Sequence, residues 1–523
     1  MRVRLPRIIR HVVLLAFFIG IASPTYAISG SNSALEKKLK RTIQRYKKRL
    51  PKSAKIQVAI RDLNSGNVLA AYGGDKPLNL ASVTKIITAA AVLDYRKPDF
   101  RFSTRVLAVP CRNPDRECRR AQGDTTTDAH LHSITLVPGG DPTLKGSDLG
   151  TLAKDIYKKG VRSADTIQLV TTPFGPTQFP PGFKKKNTHA SYRAPAGSMN
   201  IDRNSVRIQV YPDKKIGRKP AVYLKPKARF PITNRAKTVA GRGEALTVRV
   251  VWGPGNAPTI EVGGTIGVRR TAGITAVRLN EHPEKWAAET FRLKVSGEKI
   301  RVGRKVNIQD APPAGAIEIA SHQSAPLSVI VKRMLQYSDN QIAEAMLLWM
   351  AKDSSRGFEG GAEHIREWLE LLGCSAQKLY TYNGSGLYNG GFGSALEMTH
   401  LLVQLQKNTE LGKELQDSLA GPGIPGTLRG RMAKLPRGVR VRAKTGTLNE
   451  VSALCGYILR DSGGQSFCVL LNDINRQTVG VSRRLQDAVV QMIAVANPKS
   501  TVQNTAEPTE KNLESVLKEA ETK

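Results

Sequence analysis

The amino-acid sequence predicts an α/β domain that is assembled from both ends of the chain and interrupted by a long β-rich insertion. Helical and strand patterns occur before residue 100, and helical patterns return from about residue 316. Between them, from about residue 101 to residue 302, short alternating segments are separated by Gly and Pro. Insertions are tolerated where the ends of the host domain lie close together, so we expect the two outer parts to pack as one unit.

The first outer part is predicted to form a helix, a hairpin and a second helix. Residues 33–50 have apolar side chains at helical spacing on a strongly basic face. Residues 56–60 and 68–72 alternate as strands around a Gly-containing turn, which favours a hairpin. The apolar run over residues 86–93 predicts a buried helix directly after Ser82.

The insertion and the second outer part have different patterns. Residues 206–210 and 246–250 alternate apolar and polar side chains, as strands do. The elements predicted after them are helices over residues 327–335, 341–350 and 396–406, strands over residues 451–459 and 467–471, and a helix over residues 481–494. Residues 498–523 are polar with both signs of charge, which predicts a flexible tail.

The N-terminus has the features of an export signal. Four arginines among the first ten residues precede an apolar stretch over residues 12–21, and Thr25-Tyr26-Ala27 offers a small-x-small cleavage site. An uncleaved anchor is the alternative, but the run is short for a membrane span and Pro24 interrupts its end. Residues 1–27 are therefore predicted to be a signal peptide, and the mature protein is expected in the periplasm or another extracytoplasmic compartment.

The chain is strongly basic, with 80 Lys and Arg residues against 43 Asp and Glu residues and a formal charge of +37. A basic surface attracts polyanions, so an anionic wall polymer or membrane surface is an expected partner. No nucleic acid is expected, because the chain is predicted to be exported and its aromatic residues do not interleave with basic ones.

Ser82-Val83-Thr84-Lys85 places a hydroxyl and an amine three residues apart at the start of the buried helix. Positions i and i+3 share a helix face, so the amine can reach the hydroxyl. Burial depresses the pKa of a lysine, which can then activate the serine as a nucleophile. An ordinary helix N-cap is the alternative role for Ser82. The same spacing recurs at Ser296/Lys299, Ser375/Lys378 and Ser515/Lys518.

A second motif, Ser338-Asp339-Asn340, precedes an apolar helix. Its serine would relay a proton and its asparagine would hold a substrate amide, while a helix cap is the structural alternative. Ser198-Met199-Asn200 in the insertion has the same spacing and is a rival for this role, whereas Ser65-Gly66-Asn67 fits a turn.

A third motif, Lys444-Thr445-Gly446-Thr447, occurs once and precedes a strand. A strand edge offers free backbone N–H groups, and glycine lets a ligand approach closely. The amine and the hydroxyls suit a substrate carboxylate. A hairpin turn is the structural alternative.

Ser-x-x-Lys, Ser-x-Asn and Lys-Thr-Gly, in this order, are the signature of penicillin-binding proteins and serine β-lactamases. The chain resembles class C low-molecular-mass penicillin-binding proteins, the D-alanyl-D-alanine carboxypeptidase/endopeptidase family (peptidase family S13), which includes proteins like penicillin-binding protein 4. The resemblance covers most of the mature chain, and its family-like segments are residues 139–144, 192–204, 383–387, 426–431, 443–448 and 451–457.

The resemblance implies an α/β (α+β) penicillin-binding/serine β-lactamase-like transpeptidase domain, in which helices flank an antiparallel sheet, with two β-rich inserted domains. The catalytic domain would comprise residues 28–99 and 306–497. One inserted domain would comprise residues 100–126 and 202–305, and the nested one residues 127–201. We expect no cofactor and no metal.

The resemblance also implies the catalytic roles. Ser82 would attack the carbonyl between the two terminal D-alanines of a peptidoglycan stem peptide, with Lys85 as the acylation base. Ser338 would pass the proton to the departing D-alanine. Water would then hydrolyse the acyl-enzyme, and β-lactam antibiotics would trap it.

The remaining motif residues would bind the substrate. Asn340 would hold the peptide amide, and Lys444 would support the electrostatics. Thr445 and Thr447 would bind the terminal carboxylate, with Gly446 between them. The backbone N–H groups of Thr447 and of the nucleophile, Ser82, would form the oxyanion hole.

Three positions depart from the family pattern. Asn383 stands where the family usually has Asp, and Tyr388-Asn389 stands where it has Ser-Arg. Residues 171–174 lack the acidic residue that is expected near them. The departures leave the preference for the stem-peptide side chain open.

The cysteines and histidines suggest no metal or thiol chemistry. Cys111 and Cys118 lie in a Pro/Arg-rich loop and are a candidate disulfide in an oxidising compartment. Cys455 and Cys468, on predicted neighbouring strands, are expected to be buried apolar residues and not a bridge. His130-Leu131-His132 fits alternating strand residues better than a metal site.

Two other functions use the same motifs. One is a serine β-lactamase, which the long insertion and the family-like segments disfavour. The other is a catalytically silent wall-binding protein, which the intact motifs disfavour. Carboxypeptidase and endopeptidase activity, and the oligomeric state, are left open by the sequence.

Overall fold

The computed structural model of the chain describes residues 33–110, 129–175, 178–183, 189–225, 230–252, 258–351 and 354–496. The predicted signal peptide, the predicted Cys111–Cys118 disulfide and the predicted tail lie outside these residues. Within the described ranges, none of the helices combines the length and the apolar character that a membrane span requires.

The elements are numbered along the chain. The strands are β1 (Lys55–Asp62), β2 (Val68–Tyr72), β3 (Leu78–Asn79), β4 (Ser103–Pro110), β5 (Ala129–Val137), β6 (Val161–Val170), β7 (Ser205–Tyr211), β8 (Ala221–Lys225), β9 (Ile232–Asn234), β10 (Lys237–Val239), β11 (Glu244–Trp252), β12 (Pro258–Gly267), β13 (Ile274–Leu279), β14 (Arg301–Val302), β15 (Val306–Gln309), β16 (Ile317–Gln323), β17 (Leu379–Thr381), β18 (Gly391–Gly393), β19 (Arg440–Leu448), β20 (Val451–Arg460) and β21 (Gly463–Asn472). The helices are α1 (Ser33–Lys47), α2 (Lys85–Arg96), α3 (Gly146–Lys158), α4 (Pro283–Gly297), α5 (Leu327–Tyr337), α6 (Asn340–Trp349), α7 (Gly357–Leu371), α8 (Ala395–Lys407), α9 (Thr409–Ser418) and α10 (Val479–Val495).

The two outer parts of the chain form one antiparallel sheet in the order β19-β20-β21-β1-β2. Both faces are covered, because alternate strand residues enter different cores. Tyr457 joins the core made with α2 and α5–α9, whereas Leu454 and Ile458 join the core made with α1 and α10. Strands from both outer parts of the chain therefore lie in one sheet.

The insertion has its own core. One sheet has the order β14-β6-β5-β4-β16, and β15 also pairs with β6. Strands on both sides of residues 127 and 306 therefore share one sheet. These pairings join strands far apart along the chain, and local patterns carry no information on them.

In its described residues, the insertion also contains two helices, α3 and α4, that the β-rich description missed. In α3 the buried residues Leu149, Leu152, Ala153 and Ile156 follow helical spacing, and the helix connects the parallel pair β5–β6. Parallel neighbours need such a crossover. The remaining strands form two small sheets, β13-β7-β8 and β10-β12-β11 with β9.

The expectation for Cys455 and Cys468 was wrong, because the two residues form a disulfide. The register of β20 and β21 places them directly opposite each other, with their Cα atoms 4.0 Å apart. A prediction of two neighbouring strands does not give their register, and the register decides whether two sulfur atoms meet.

Candidate active site

Ser82 lies in a short 3-10 turn, residues 81–84, between β3 and α2. The preceding residue, Ala81, has a φ of +46°, which is unusual for a residue with a side chain. Two side chains hold this turn: Asn79 Oδ1 accepts from the Ala81 N–H at 2.8 Å, and Thr84 Oγ1 donates to the Ala81 carbonyl at 2.8 Å. Strain that is held in this way is frequent at functional sites.

Lys85 is fully buried below Ser82. Its Nζ donates to Ser82 Oγ at 2.9 Å, to Asn340 Oδ1 at 2.8 Å and to the Ser385 carbonyl at 2.9 Å. Burial lowers the pKa of Lys85 to about 7, although the negative charge of Glu344 acts in the opposite direction. An amine with this pKa is partly neutral at pH 7 and can accept a proton.

Glu344 is a buried carboxyl group on α6 that the sequence argument did not single out. It accepts from the backbone N–H groups of Gly384 at 2.9 Å and Ser385 at 3.0 Å, and burial raises its pKa to about 7. The Ser385 carbonyl in turn contacts Lys85 Nζ. Glu344 therefore fixes the loop that orients the lysine. Its signal in the sequence was an acid inside an apolar helix.

The second motif lies at the junction of α5 and α6. Ser338 ends α5 with a φ of +59°, and Asp339 caps the start of α6, so the serine is a C-cap residue. The Ser338 hydroxyl accepts from Lys444 Nζ at 2.9 Å. Asn340 contacts Lys85, as given above.

The third motif lies on β19, at the edge of the sheet. Lys444 is fully buried, and burial together with the charge of Lys85 lowers its pKa well below the usual value. Thr445 Oγ1 donates to Thr427 Oγ1 at 2.9 Å, and Thr447 is exposed. A Cβ on Gly446 would lie 2.6 Å from the Leu80 carbonyl, so glycine lets β19 approach the segment that carries Ser82.

The three motifs share one cleft. A cavity of about 310 Å³ is lined by Ser82, Ser338, Thr445, Gly446 and Thr447. A larger groove of about 1270 Å³ is lined in part by Ser82, Ser338, Asn340 and Thr447. The hydroxyl of Ser82 therefore lies where the cavity and the groove meet, and Lys85 and Lys444 form buried amines beneath it.

The rival motif, Ser198-Met199-Asn200, has a structural role and lies away from the cleft. Ser198 Oγ donates to the Thr171 carbonyl and accepts from the Phe174 N–H, and the side chain is buried. Asn200 is also buried and accepts from Gln341 Nε2 at 2.9 Å. These residues support α6 from below and do not line the cleft.

The insertion holds the second motif through three successive residues. Arg203 pairs with Asp339 at 2.8 Å, Asn340 Nδ2 donates to the Tyr192 carbonyl at 2.9 Å, and Gln341 contacts Asn200 as described above. The inserted region therefore fixes the loop that carries Ser338.

The family departure at Asn383 has a physical reason. Its side chain is buried, and Nδ2 donates to the carbonyls of Pro181 at 3.2 Å and Leu387 at 2.9 Å. An aspartate carboxylate has no hydrogens for these two acceptors. At the neighbouring departure, Asn389 Oδ1 accepts from Asn79 Nδ2 at 2.7 Å, which links the loop to the strand before Ser82.

We therefore predict that Asn383→Asp lowers the free energy of unfolding by about 2–4 kcal/mol, because two carbonyls lose their donors and a charge is buried. Urea unfolding followed by tryptophan fluorescence measures the change. Asn389→Asp is the matched control, since that exposed residue acts only as an acceptor, and its effect should stay within about 0.5 kcal/mol. Equal effects of the two substitutions would contradict the assignment.

A serine contacting a buried amine, a second serine contacting a second buried amine and a strand edge beside both define a serine acyl-transfer hydrolase of the penicillin-binding type. The family model for the D-Ala-D-Ala carboxypeptidase 3 (S13) family matches residues 35–495. The chain belongs to this family.

Individual relatives agree with this assignment. The D-alanyl-D-alanine carboxypeptidase of Actinomadura sp. (strain R39) is 27% identical over 432 residues, which are 79% of this chain and 77% of the relative. The crystal structure of penicillin binding protein 4 from Haemophilus influenzae matches with a TM-score of 0.70 and 20% identity, covering 87% of this chain and 99% of that chain. The same protein complexed with a β-lactam matches with a TM-score of 0.67 and 20% identity, covering 85% and 98%. The predicted family, fold class and enzyme class are confirmed.

Proposed function

We propose that the protein is an extracytoplasmic serine-type D-Ala-D-Ala carboxypeptidase that acts on peptidoglycan stem peptides through an acyl-enzyme on Ser82. The single observation that carries the proposal is the 2.9 Å contact between Ser82 Oγ and the fully buried Nζ of Lys85. A base within hydrogen-bonding distance of a hydroxyl is the geometry that nucleophilic catalysis needs. The predicted signal peptide supports the location.

Acylation begins when the neutral Lys85 amine accepts the proton of Ser82 and Oγ attacks the carbonyl between the terminal D-alanines. The backbone N–H groups of Ser82 and Thr447 are proposed to stabilise the oxyanion. Removing one such donor typically raises the barrier by about 3 kcal/mol. Collapse of the tetrahedral intermediate breaks the peptide bond and leaves the acyl group on Ser82.

The departing D-alanine needs a proton on its amine. Ser338 is proposed to deliver it by a relay: its hydroxyl gives a proton to the amine and is reprotonated with the proton that Lys85 took from Ser82. The hydrogen bond from Lys444 Nζ orients the Ser338 hydroxyl. Water then attacks the acyl-enzyme ester and gives one proton to the neutral Lys85 amine. As the ester bond breaks, Lys85 passes this proton to Ser82 Oγ, and the shortened peptide leaves with a new terminal carboxyl group.

The substrate would be held on both sides of Ser82. Thr445 and Thr447, on either side of Gly446, present hydroxyls at the edge of the sheet for the terminal carboxylate. Asn340 Nδ2 has a second hydrogen besides the one donated to the Tyr192 carbonyl, and this hydrogen suits the carbonyl of the substrate amide.

β-Lactams are proposed to acylate Ser82 in the same way. Their amide carbonyl would occupy the position of the scissile carbonyl, and the tethered leaving group would stay in the cleft. A chromogenic cephalosporin should give a lasting adduct with this protein, whereas steady turnover would indicate the β-lactamase alternative.

Digestion of purified muropeptides with mass analysis tests the proposed reaction. Release of free D-alanine from a pentapeptide is the expected result. Splitting of cross-linked dimers to monomers would reveal an additional endopeptidase activity. If neither product forms while a penicillin-reactive protein is present, the proposed function is wrong.

The pH dependence of acylation provides a separate prediction. Only the neutral form of Lys85 accepts a proton, so the acylation rate by a penicillin should rise as the pH passes through about 7 and fall below it. The charge of Glu344 raises the pKa of Lys85, so Glu344→Gln should move this limb of the profile to lower pH. Glu410→Gln, at an exposed position, is the control and should leave it unchanged. A shift to higher pH would contradict the lysine assignment.

A further inference from the structure

A second concave surface adjoins the active site and has no part in the proposed chemistry. This side groove has a volume of about 600 Å³, and its walls come from the insertion and from α5. It reaches Ser338 and Asn340, which also line the large groove that contains Ser82. A single extended ligand can therefore lie in both grooves.

The side groove is lined with basic side chains. Lys145, Arg207, Lys225 and Arg333 are all exposed. Among the described residues the last three form no ion pair with an acid, whereas Lys145 interacts with the Asp202 carboxylate. The groove has two acids against five cations: Asp339 pairs with Arg203, the fifth cation of the groove, and Asp202 interacts with Lys145 and Arg203. The groove therefore carries an excess of positive charge.

Two of these charges face each other across a strand pair. The register of β7 and β8 places Arg207 directly opposite Lys225. Like charges at directly opposed positions of an antiparallel pair are destabilising. Among the described residues no acid forms an ion pair with either side chain, and residues 205–280 hold 15 Lys and Arg against 3 Asp and Glu. An anion bound between the two side chains would relieve the repulsion.

The floor of the side groove is a strained turn that is tied to the active site. Asp202, Arg203 and Asn204 have successive φ values of +49°, +58° and +48°. Asn204 is buried and donates to the Pro195 carbonyl at 2.9 Å, and Arg203 is paired with Asp339 of the second motif. The turn fixes the groove relative to Ser338 and Asn340.

We propose that the side groove binds a carboxylate-rich segment of the peptide substrate while the acyl-D-Ala-D-Ala end lies at Ser82; this proposal rests on the proposed function. A concave site of this volume, continuous with the cleft, suits a peptide chain better than a membrane surface. Exposed cations attract carboxylates through a salt-dependent interaction that is weak for one pair and larger for several. The groove would therefore act on substrate affinity and not on the chemical step.

The test compares two substrates and two triple variants in the full chain. One substrate is an N-acylated D-Ala-D-Ala dipeptide, and the other is a stem peptide with the same end and several side-chain carboxylates. The groove variant is Arg207→Gln/Lys225→Gln/Arg333→Gln. The control variant is Lys215→Gln/Lys237→Gln/Arg269→Gln. It removes three exposed charges from the same part of the insertion, residues 205–280, at positions that do not line the side groove.

The groove variant should raise KM for the acidic peptide by about tenfold and leave kcat unchanged. KM for the short dipeptide, and for the acidic peptide with its carboxylates amidated, should not change, and high salt should abolish the difference in KM between the groove variant and the unmodified protein.

An equal effect in the control variant, an unchanged KM for the acidic peptide or an equal loss with the short dipeptide would overturn the proposal. Loss of binding to anionic phospholipid vesicles with an unchanged KM would also overturn it and indicate a membrane. If the unmodified protein does not cleave the short dipeptide, the proposed function itself fails.

Discussion

Ser82→Ala is expected to lower kcat for release of D-alanine by at least about 10⁴-fold, because no other described hydroxyl in the cleft contacts the buried amine of Lys85. The substitution removes one oxygen from a half-buried position, so the fold should be unaffected. Release of D-alanine from a stem pentapeptide, measured under saturating substrate, gives the change.

The matched control is Ser296→Ala, which alters a serine in the same Ser-x-x-Lys spacing at an exposed position. It should retain the activity of the unmodified protein. A Ser82→Ala protein that keeps more than a tenth of that activity would contradict the role of Ser82 as the nucleophile.

Lys85→Met is expected to lower the rate of acylation by about 10²–10⁴-fold, which is the usual contribution of a positioned general base. Methionine fills a similar volume but cannot accept the proton of Ser82. The second-order rate constant for acylation by a penicillin isolates this step from deacylation. The residual acylation rate should no longer rise as the pH passes through about 7, since the group that titrates there is absent.

Lys299→Met is the control for this change, because it removes an exposed amine with the same spacing from a serine. Circular dichroism establishes that both variants are folded. A Lys85→Met protein that is acylated within threefold of the normal rate would show that another group takes the proton.

The predicted motifs proved to lie together because each has a local structural reason for its position. An apolar helix buries Lys85, a helix junction places the half-buried Ser338 at the cleft, and a strand at the sheet edge presents Thr447. Hydrophobic periodicity is visible in the sequence, so these settings could be predicted. That three such settings meet in one cleft could be inferred only from the order of the motifs.

Other features depend on pairings between distant segments and were missed. The disulfide between Cys455 and Cys468 requires the register of two strands, and the mixed sheet of the insertion requires partners far apart in sequence. Glu344 gains its importance from the Gly384 and Ser385 N–H groups, which tertiary packing brings to it. Periodicity carries no information about such contacts.

The central claim is that the hydroxyl of Ser82, activated by Lys85, becomes acylated. Labelling the protein with a fluorescent penicillin, followed by proteolysis and mass mapping of the modified peptide, measures this directly. One adduct per chain on the peptide that contains Ser82 is the predicted result. An adduct on any other peptide, with Ser82 unmodified, would contradict the account.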